Sequence, residues 1–380
     1  MDWEKLALSL RDFRRKLHQH PELSGQEKKT AAAIIAFAES FHPDRIHYPL
    51  GGEGVAIVFN GTSTGPAVLI RCELDALPIA EINDFPHRSV SAQVSHKCGH
   101  DGHMAIVSGL MPLLGRQRPQ KGKVVLLFQP AEETGAGALK VINDLNIRDI
   151  SPDMVFALHN LPGFEKGAVV VKNDAFASAS KGMIITLNGK TSHAAEPEYG
   201  ISPALAVAEL IPALTKLPQS AVFSDFTLVT IVHALIGERA FGTSPGHARL
   251  MATLRAANDS DMAVMTDRAT EMVNNVATRH KLKVMVEWVE EFPATVNHPE
   301  CVSLIVSAAK ENSLELQQMA QPFRWSEDFG HFTHQFKGAM FGLGSGKNHP
   351  QLHHPDYDFP DEIIIDGTKM FYSIILKILS

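Results

Sequence analysis

The sequence predicts an α/β protein: a discontinuous domain organised on a sheet, with a smaller α+β domain inserted in it. Three observations carry this. Short, continuously apolar runs at 124–128, 154–158 and 339–343 each stop at polar or glycine residues, the pattern of strands buried in a sheet. From about 178 to 291 the order becomes strand, helix, strand, strand, helix, strand, the ferredoxin-like split βαβ. And 380 residues exceed one ordinary domain of roughly 100–200 residues. The expected division is 1–177 and 292–380 for the first domain and 178–291 for the insert.

Leu6, Leu10, Phe13 and Leu17 recur at helical spacing, and Pro21 stops that helix. Ser24-Gly25-Gln26-Glu27 has the form of a capping box ahead of an apolar stripe through Thr30, Ile34, Phe37 and Phe41. Strands follow at 55–59 and 67–70, joined by Gly61-Thr62-Ser63-Thr64-Gly65, which reads as a hairpin, and Asp75 lies just beyond. Asp101 is expected to cap a helix from 102 to about 114, leaving Cys98 and His100 in the loop at its N-terminus, where the helix field favours thiolate. The run at 124–128 leads to Gln129-Pro130-Ala131-Glu132-Glu133 and that at 154–158 to His159. Both deliver polar residues to a strand's carboxyl end, where open α/β sheets gather ligands. In the insert, strands are expected at 183–187, 226–233, 248–254 and 284–289, with helices at about 203–214 and 261–279. Pro212 should kink or shorten the first helix, and the second carries Met262, Met265, Ala269, Met272 and Val276 on one face.

A formal net charge of -7, with 20% charged and 44% hydrophobic residues, is the balance of an ordinary soluble protein and argues against a nucleic-acid or anionic-membrane partner. The apolar stretch 370–379 has Lys377 inside it and falls well short of the roughly twenty residues a membrane span needs. The start, Met1-Asp2-Trp3-Glu4, lacks a basic region followed by an apolar one, so no secretory leader is expected. Cys72, Cys98 and Cys301 do not make a disulfide framework, and a cytoplasmic location is the expectation.

Chemistry concentrates in Cys98-Gly99-His100-Asp101-Gly102-His103. Cys98 and His100 are two residues apart, so in an extended loop both side chains can face the same way. Glu132 and Glu133, directly after a strand, can divide the work of a hydrolase, one carboxylate on a metal and the other on the proton of the attacking water. His159 adds a donor, as does His353 or His354 in the histidine-rich segment 349–355; composition does not choose between those two. Mixed thiolate, imidazole and carboxylate donors suit Zn, Mn, Ni or Co better than Mg or Ca. Two ions about 3.5–4 Å apart need a bridging ligand, for which the Cys98 thiolate is the candidate.

Leu17-His18-Gln19-His20-Pro21-Glu22-Leu23, Asp75-Ala76-Leu77-Pro78-Ile79, Cys98-Gly99-His100-Asp101-Gly102-His103, Gln129-Pro130-Ala131-Glu132-Glu133 and Leu352-His353-His354-Pro355-Asp356-Tyr357-Asp358-Phe359 resemble, in order, the motifs of the aminoacylase and carboxypeptidase amidohydrolases. More narrowly, the chain is similar to the branch with hippurate hydrolases, indole-acetyl-amino-acid hydrolases and N-acetyl-diaminopimelate deacetylases. The resemblance implies a zinc-peptidase-like catalytic domain, its central mixed sheet flanked by helices, with the ferredoxin-like insert as lid and dimerisation domain. By position it implies that Cys98, His100, Glu133, His159 and His353 bind two divalent metal ions (Zn, Mn, Ni or Co), that Glu132 is the general base, and that Asp75 orients a ligand from behind. It also implies that His193, in Gly189-Lys190-Thr191-Ser192-His193-Ala194-Ala195, stabilises the oxyanion in the partner subunit's site of a homodimer, and that Arg255 holds the substrate carboxylate. The implied substrate is an N-acyl-amino acid, split to a carboxylic acid and an amino acid. A dipeptidase or carboxypeptidase of the same family, or a catalytically weak metal-dependent binder, is the competing reading.

The chain also departs from that pattern. Glu73 stands where Asp is usual, the loop before His193 lacks a double glycine, Gly242 replaces an Asn that commonly helps bind the substrate, and Asn160 replaces an aliphatic residue after His159.

Overall fold

The computed structural model describes residues 2–219 and 222–380. It divides into two compact units. One comprises the chain up to Phe176 with Thr295–Gln321 and Asp328–Ser380; the other comprises Ala177–Ala294 with Pro322–Glu327. The short return at Pro322–Glu327 carries no sequence pattern of its own. It belongs to the second unit through backbone pairing, Ser178 N–H donating to Phe323 O at 3.0 Å.

Helix α1 (Trp3–Gln19) buries Leu6, Leu10 and Leu17, and with them Arg14 and His18. Before α2 (Lys28–Glu39) the expected capping box does not form, because both of its side chains are claimed elsewhere. The Ser24 hydroxyl donates to Asp75 Oδ2 at 2.7 Å, and Glu27 Oε1 accepts the N–H groups of Gly25 and Ala131, each at 2.8 Å.

Strands β1 (Arg45–Leu50), β2 (Gly54–Asn60) and β3 (Ala67–Glu73) follow. β2 and β3 do not form the expected hairpin. After α3 (His100–Ser108) and α4 (Leu110–Arg116), strand β4 (Lys123–Gln129) inserts between them, antiparallel to β2 and parallel to β3. The glycine-rich connection pairs with the approach to β4 instead, Gly61 N–H donating to Gly122 O at 2.7 Å. Nor does Asp101 cap a helix. Gly99, at φ 91°, occupies the N-cap position in a region that favours glycine, and the Asp101 side chain turns inward to Arg14 and His18. The helix breaks after Ser108 because Pro112 has no N–H to donate to that residue's carbonyl.

Helices α5 (Gly137–Asn143) and α6 (Ile147–Ile150) lead to β5 (Met154–Pro162), β6 (Val169–Val171) and β7 (Asp174–Ala177). The second unit contains β8 (Ala179–Asn188), β9 (Ser192–His193), α7 (Ala204–Lys216), β10 (Thr227–Ile236), β11 (Thr243–Ser244), β12 (His247–Ala256), α8 (Asp259–Arg279) and β13 (Lys283–Phe292). Its main sheet has the order β10-β12-β8-β13 with all neighbours antiparallel, as a split βαβ requires. Pro212 sits inside α7 without shortening it. Met262, Met265, Ala269, Val273 and Val276 of α8 are buried in one cluster with Leu210, Leu214, Ile185 and Leu250.

The chain completes the first unit with β14 (Thr295–Asn297), α9 (Pro299–Glu311), β15 (Leu316–Gln318), α10 (Gly330–Gln335), β16 (Lys337–Gly346) and α11 (Ile364–Leu379). The central sheet is mixed, in the order β1-β2-β4-β3-β5-β16-β6-β15. β4, β3, β5 and β16 run parallel in its middle. Every residue of β3 is buried, which explains why these strands read as unbroken apolar runs. Alternate residues Val68, Ile70 and Cys72 of β3 and Val124, Leu126 and Phe128 of β4 enter one core cluster with Leu10, Ile106 and Phe371 of the flanking helices. The four parallel strands therefore open their carboxyl ends at one edge. Among the described residues no helix is long and apolar enough to cross a membrane.

Candidate metal centre

That edge collects the donors predicted in the first unit. Asp75 follows β3, Glu132 and Glu133 follow β4, His159 lies within β5, Cys98 just precedes α3 and His100 begins it, and His353 comes on the loop after β16. The ligand atoms of Cys98, His100 and His159 lie within 4.8 Å of one another; so do those of Cys98, Glu133 and His353, and those of His100, Glu132 and Glu133. Cys98 is thus common to two triads. Its Sγ lies 3.5 Å from His159 Nε2. His100 Nε2 stands 3.8 Å from Glu132 Oε2 and 3.8 Å from Glu133 Oε1, and His353 Nε2 stands 3.9 Å from Glu133 Oε2. Of the two histidines that composition left open, His353 is the one these contacts bring in.

Each donor is held from behind. His100 Nδ1 donates to the main-chain oxygen of Asp75 at 2.8 Å and His159 Nδ1 to that of Asn160 at 2.9 Å, so each ring turns Nε2 toward the cluster. Asp75 Oδ2 also accepts the Glu133 N–H at 3.0 Å. The turn before Glu132 passes through Ala131 at φ 51°, with its N–H fixed by buried Glu27. His353 sits at φ 66°, its N–H donating to Lys97 O at 2.8 Å. Left-handed backbone at a non-glycine residue is uncommon and costs energy, so surrounding contacts must hold both turns.

Electrostatics and hydrogen-bond accounting show that these residues fit a cation. His100 Nε2 and Glu133 Oε1 are buried with no hydrogen-bond partner. Buried polar atoms are rarely left so unless an ion or water completes them. Burial disfavours charge on His100, yet Asp75, Glu73 and Glu133 outweigh it and raise its pKa to about 10: their field favours positive charge at this point. Burial pushes the Glu133 carboxyl up to about 7, against the pull of His100. His159, pushed down to about 3 by burial and by His103, is the neutral imidazole that metal ligation needs.

Two further groups were not assigned roles from sequence. His103 Nδ1 bonds Glu73 Oε2 at 2.7 Å, and Arg71 bonds Glu73, Gln129 and Asp328, so Glu73 is locked in a buried polar chain beneath the cluster. Arg14, His18, Asp101, Glu81, Lys97 and Asp358 form a second buried network. His103 belongs to the same six-residue motif as Cys98, the one sequence sign that it matters; Asn160 stood out only as a departure after His159, and Tyr357 only as a member of the motif that contains His353.

His193 and Arg255 belong to the second unit. His193 is exposed in β9, opposite Thr243 of β11, with its Nδ1 accepting the Ala195 N–H at 3.1 Å. Gly242 O accepts the Ala194 N–H at 3.0 Å, so the substituted position adjoins the histidine's own turn. Arg255 Nη1 donates to Arg324 O at 3.0 Å and to Ser326 Oγ at 2.9 Å.

A cluster of thiol, imidazole and carboxyl donors at the carboxyl ends of a mixed, helix-flanked sheet defines a metallohydrolase. The family profile described as peptidase family M20/M25/M40 matches residues 69–377. The chain belongs to that family, and it is a metal-dependent hydrolase acting on linear amides. It is 31% identical over 375 residues to the N-acetyl-L-cysteine deacetylase of Bacillus subtilis, spanning 98% of this chain and 89% of that one. A crystal structure of a protein from methicillin-resistant Staphylococcus aureus superposes with a TM-score of 0.90 at 24% identity, covering 100% of this chain and 98% of the other. The Bacillus subtilis YXEP protein, a dinuclear metal-binding peptidase of the M20 family, matches with a TM-score of 0.84 at 25% identity over 99% of both chains.

Proposed function

We propose that this chain hydrolyses N-acyl-amino acids to a carboxylic acid and a free amino acid, using two divalent ions (Zn, Mn, Ni or Co) held by Cys98, His100, Glu133, His159 and His353. The observation that carries the reading is the sharing of Cys98 between two triads, beside a further carboxylate, Glu132. The dinuclear peptidase among the structural neighbours supports the ion count, and the N-acetyl-L-cysteine deacetylase supports the substrate class.

When bound, the ions would supply Lewis acidity, lowering the pKa of water from about 15.7 toward about 7 and polarising the amide carbonyl. Glu132 takes the proton of the attacking water and passes it to the leaving nitrogen. Asp75 holds His100 and Glu133 in place from behind. The inserted unit acts as a lid and dimer contact. From it His193 donates to the developing oxyanion of the partner subunit's site, and Arg255 pairs with the substrate carboxylate. All three cysteines are buried and none is in a disulfide, which supports a cytoplasmic location.

The test is amino-acid release by protein reloaded separately with Zn, Mn, Co and Ni, from N-acetyl, N-benzoyl and indole-acetyl amino acids beside simple dipeptides. Turnover of the acylated compounds alone is expected. Turnover of free-amine dipeptides alone would make the protein a peptidase, and silence with metal bound would point to an acyl group outside the panel or to a catalytically weak binder.

A further inference from the structure

We propose that Asn160 is a positioning residue of the metal centre: its amide fixes the Cys98 turn relative to β5, β16 and the His353 loop, so that the Cys98 thiolate reaches both triads. The inference rests on the metal-centre reading above. Asn160 is fully buried and follows His159 directly. Its Nδ2 donates to Cys98 O at 2.7 Å and lies 3.0 Å from His103 Nε2. Its Oδ1 accepts from the Tyr357 hydroxyl and from Ser345 Oγ, the latter at 3.2 Å. Its main-chain N–H meets His103 Nε2 at 3.1 Å.

An asparagine amide has two hydrogens to donate and two lone pairs to accept with, and here all are engaged. The amide's orientation follows from its partners. His103 Nδ1 faces the Glu73 carboxylate at 2.7 Å and so carries the ring proton, which leaves Nε2 as an acceptor. Two hydroxyls face the amide oxygen, and a carbonyl and an acceptor nitrogen face the amide nitrogen. The turn rests directly on this group: a Cβ at Gly99 would lie 2.5 Å from Asn160 Nδ2 and 2.9 Å from the Tyr357 hydroxyl oxygen.

The partners come from distinct stretches of the metal centre. Cys98 is itself a donor, His103 lies on the helix that His100 begins, Ser345 is in β16, and Tyr357 lies just past His353 on the same loop. An aliphatic side chain at this position keeps the main-chain bond to His103 and offers none of the side-chain ones. It leaves the Cys98 carbonyl and two hydroxyls to find other partners in a buried site, and the turn that aims Sγ relaxes.

The experiment titrates Co(II) into the metal-free full chain and reads two quantities, binding by equilibrium dialysis and the sulfur-to-cobalt charge-transfer absorption, with thermal melting as the folding control. Asn160→Leu is expected to weaken cobalt binding by about 10–100-fold, the usual effect of losing an outer partner of a ligand, and to shift or abolish the thiolate band. Tyr357→Phe removes one hydroxyl and should move both readouts the same way by less. Wild-type affinity and band in a folded Asn160→Leu protein would overturn the proposal. If that variant does not fold, Tyr357→Phe decides, and an unchanged affinity and band there overturn it. Absence of any cobalt binding by the wild-type chain would instead remove the metal-centre reading itself.

Discussion

His100 and Asp75 are joined twice: His100 Nδ1 donates to the Asp75 main-chain oxygen at 2.8 Å and lies 3.5 Å from its carboxylate. The same carboxylate accepts the Glu133 N–H at 3.0 Å and the Ser24 hydroxyl at 2.7 Å. One buried residue thereby orients two donors, one at the start of α3 and one after β4. Asp75→Ala should weaken metal binding by about 10–100-fold while secondary structure is kept. Equilibrium dialysis against Zn or Mn measures this, and wild-type affinity would reduce Asp75 to a packing residue.

Glu132 and Glu133 are adjacent in sequence yet separable by experiment. Both approach His100 Nε2 at 3.8 Å, and Glu133 also approaches His353, at 3.9 Å. Glu132→Gln keeps the side-chain shape and removes the base, so kcat should fall about 10²–10⁴-fold with metal stoichiometry intact. Metal analysis on the same sample separates the roles: loss of an ion from this variant would make Glu132 a ligand.

The buried network behind the site gives a pH prediction. Burial works against a charge on His18, and so does Arg14, but Asp101 at 2.8 Å and Glu81 at 3.1 Å outweigh them and raise its pKa from 6.5 to about 9. A raised folded-state pKa means that protonation favours the fold, so this contribution is complete below 6.5 and is lost as pH rises through 9. Glu81 runs the other way. Burial would raise it, but bonds from His18 and Lys97 bring it from 4.5 to about 2, so its contribution is present above 4.5 and is lost as pH falls toward 2. Urea unfolding of metal-free wild type and His18→Gln should show a stability gap that is widest between these limbs and narrows from pH 6.5 to 9. A gap independent of pH would show that His18 stays neutral in the fold.

The sequence made legible what depends on local pattern. Apolar runs marked the parallel strands because both faces of that sheet are covered; the full donor set came with the family resemblance, since composition alone did not choose between His353 and His354. What it misread depends on partners distant in the chain. Ser24 and Glu27 have the form of a helix cap, but their side chains serve Asp75 and Ala131. Asp101 has the chemistry of a cap, but Arg14 and His18 take it. β2 and β3 flank a turn-rich link, but β4 pairs with each of them, and a hairpin cannot be told from a split pair by the turn alone. The hub made by Asn160 could not be read for the same reason: the departure was visible, but its worth lies in partners from three separate stretches.

His193 offers a prediction that tests the proposed dimer and the proposed role together. The residue is exposed and held in a short two-stranded pairing by Thr243, so His193→Gln should fold as the parent does. Loss of one oxyanion donor lowers kcat by about 10²–10³-fold. If the donor serves the partner subunit, an inactive His193→Gln chain still carries an intact Glu132 and an inactive Glu132→Gln chain still carries an intact His193. Refolding the two together then creates hybrid dimers in which one site draws Glu132 from one chain and His193 from the other. Activity should appear on mixing and scale with the hybrid fraction resolved by differential tagging. Hybrids that form but stay as inactive as their parents would place His193 in its own chain's site, or outside the chemistry altogether.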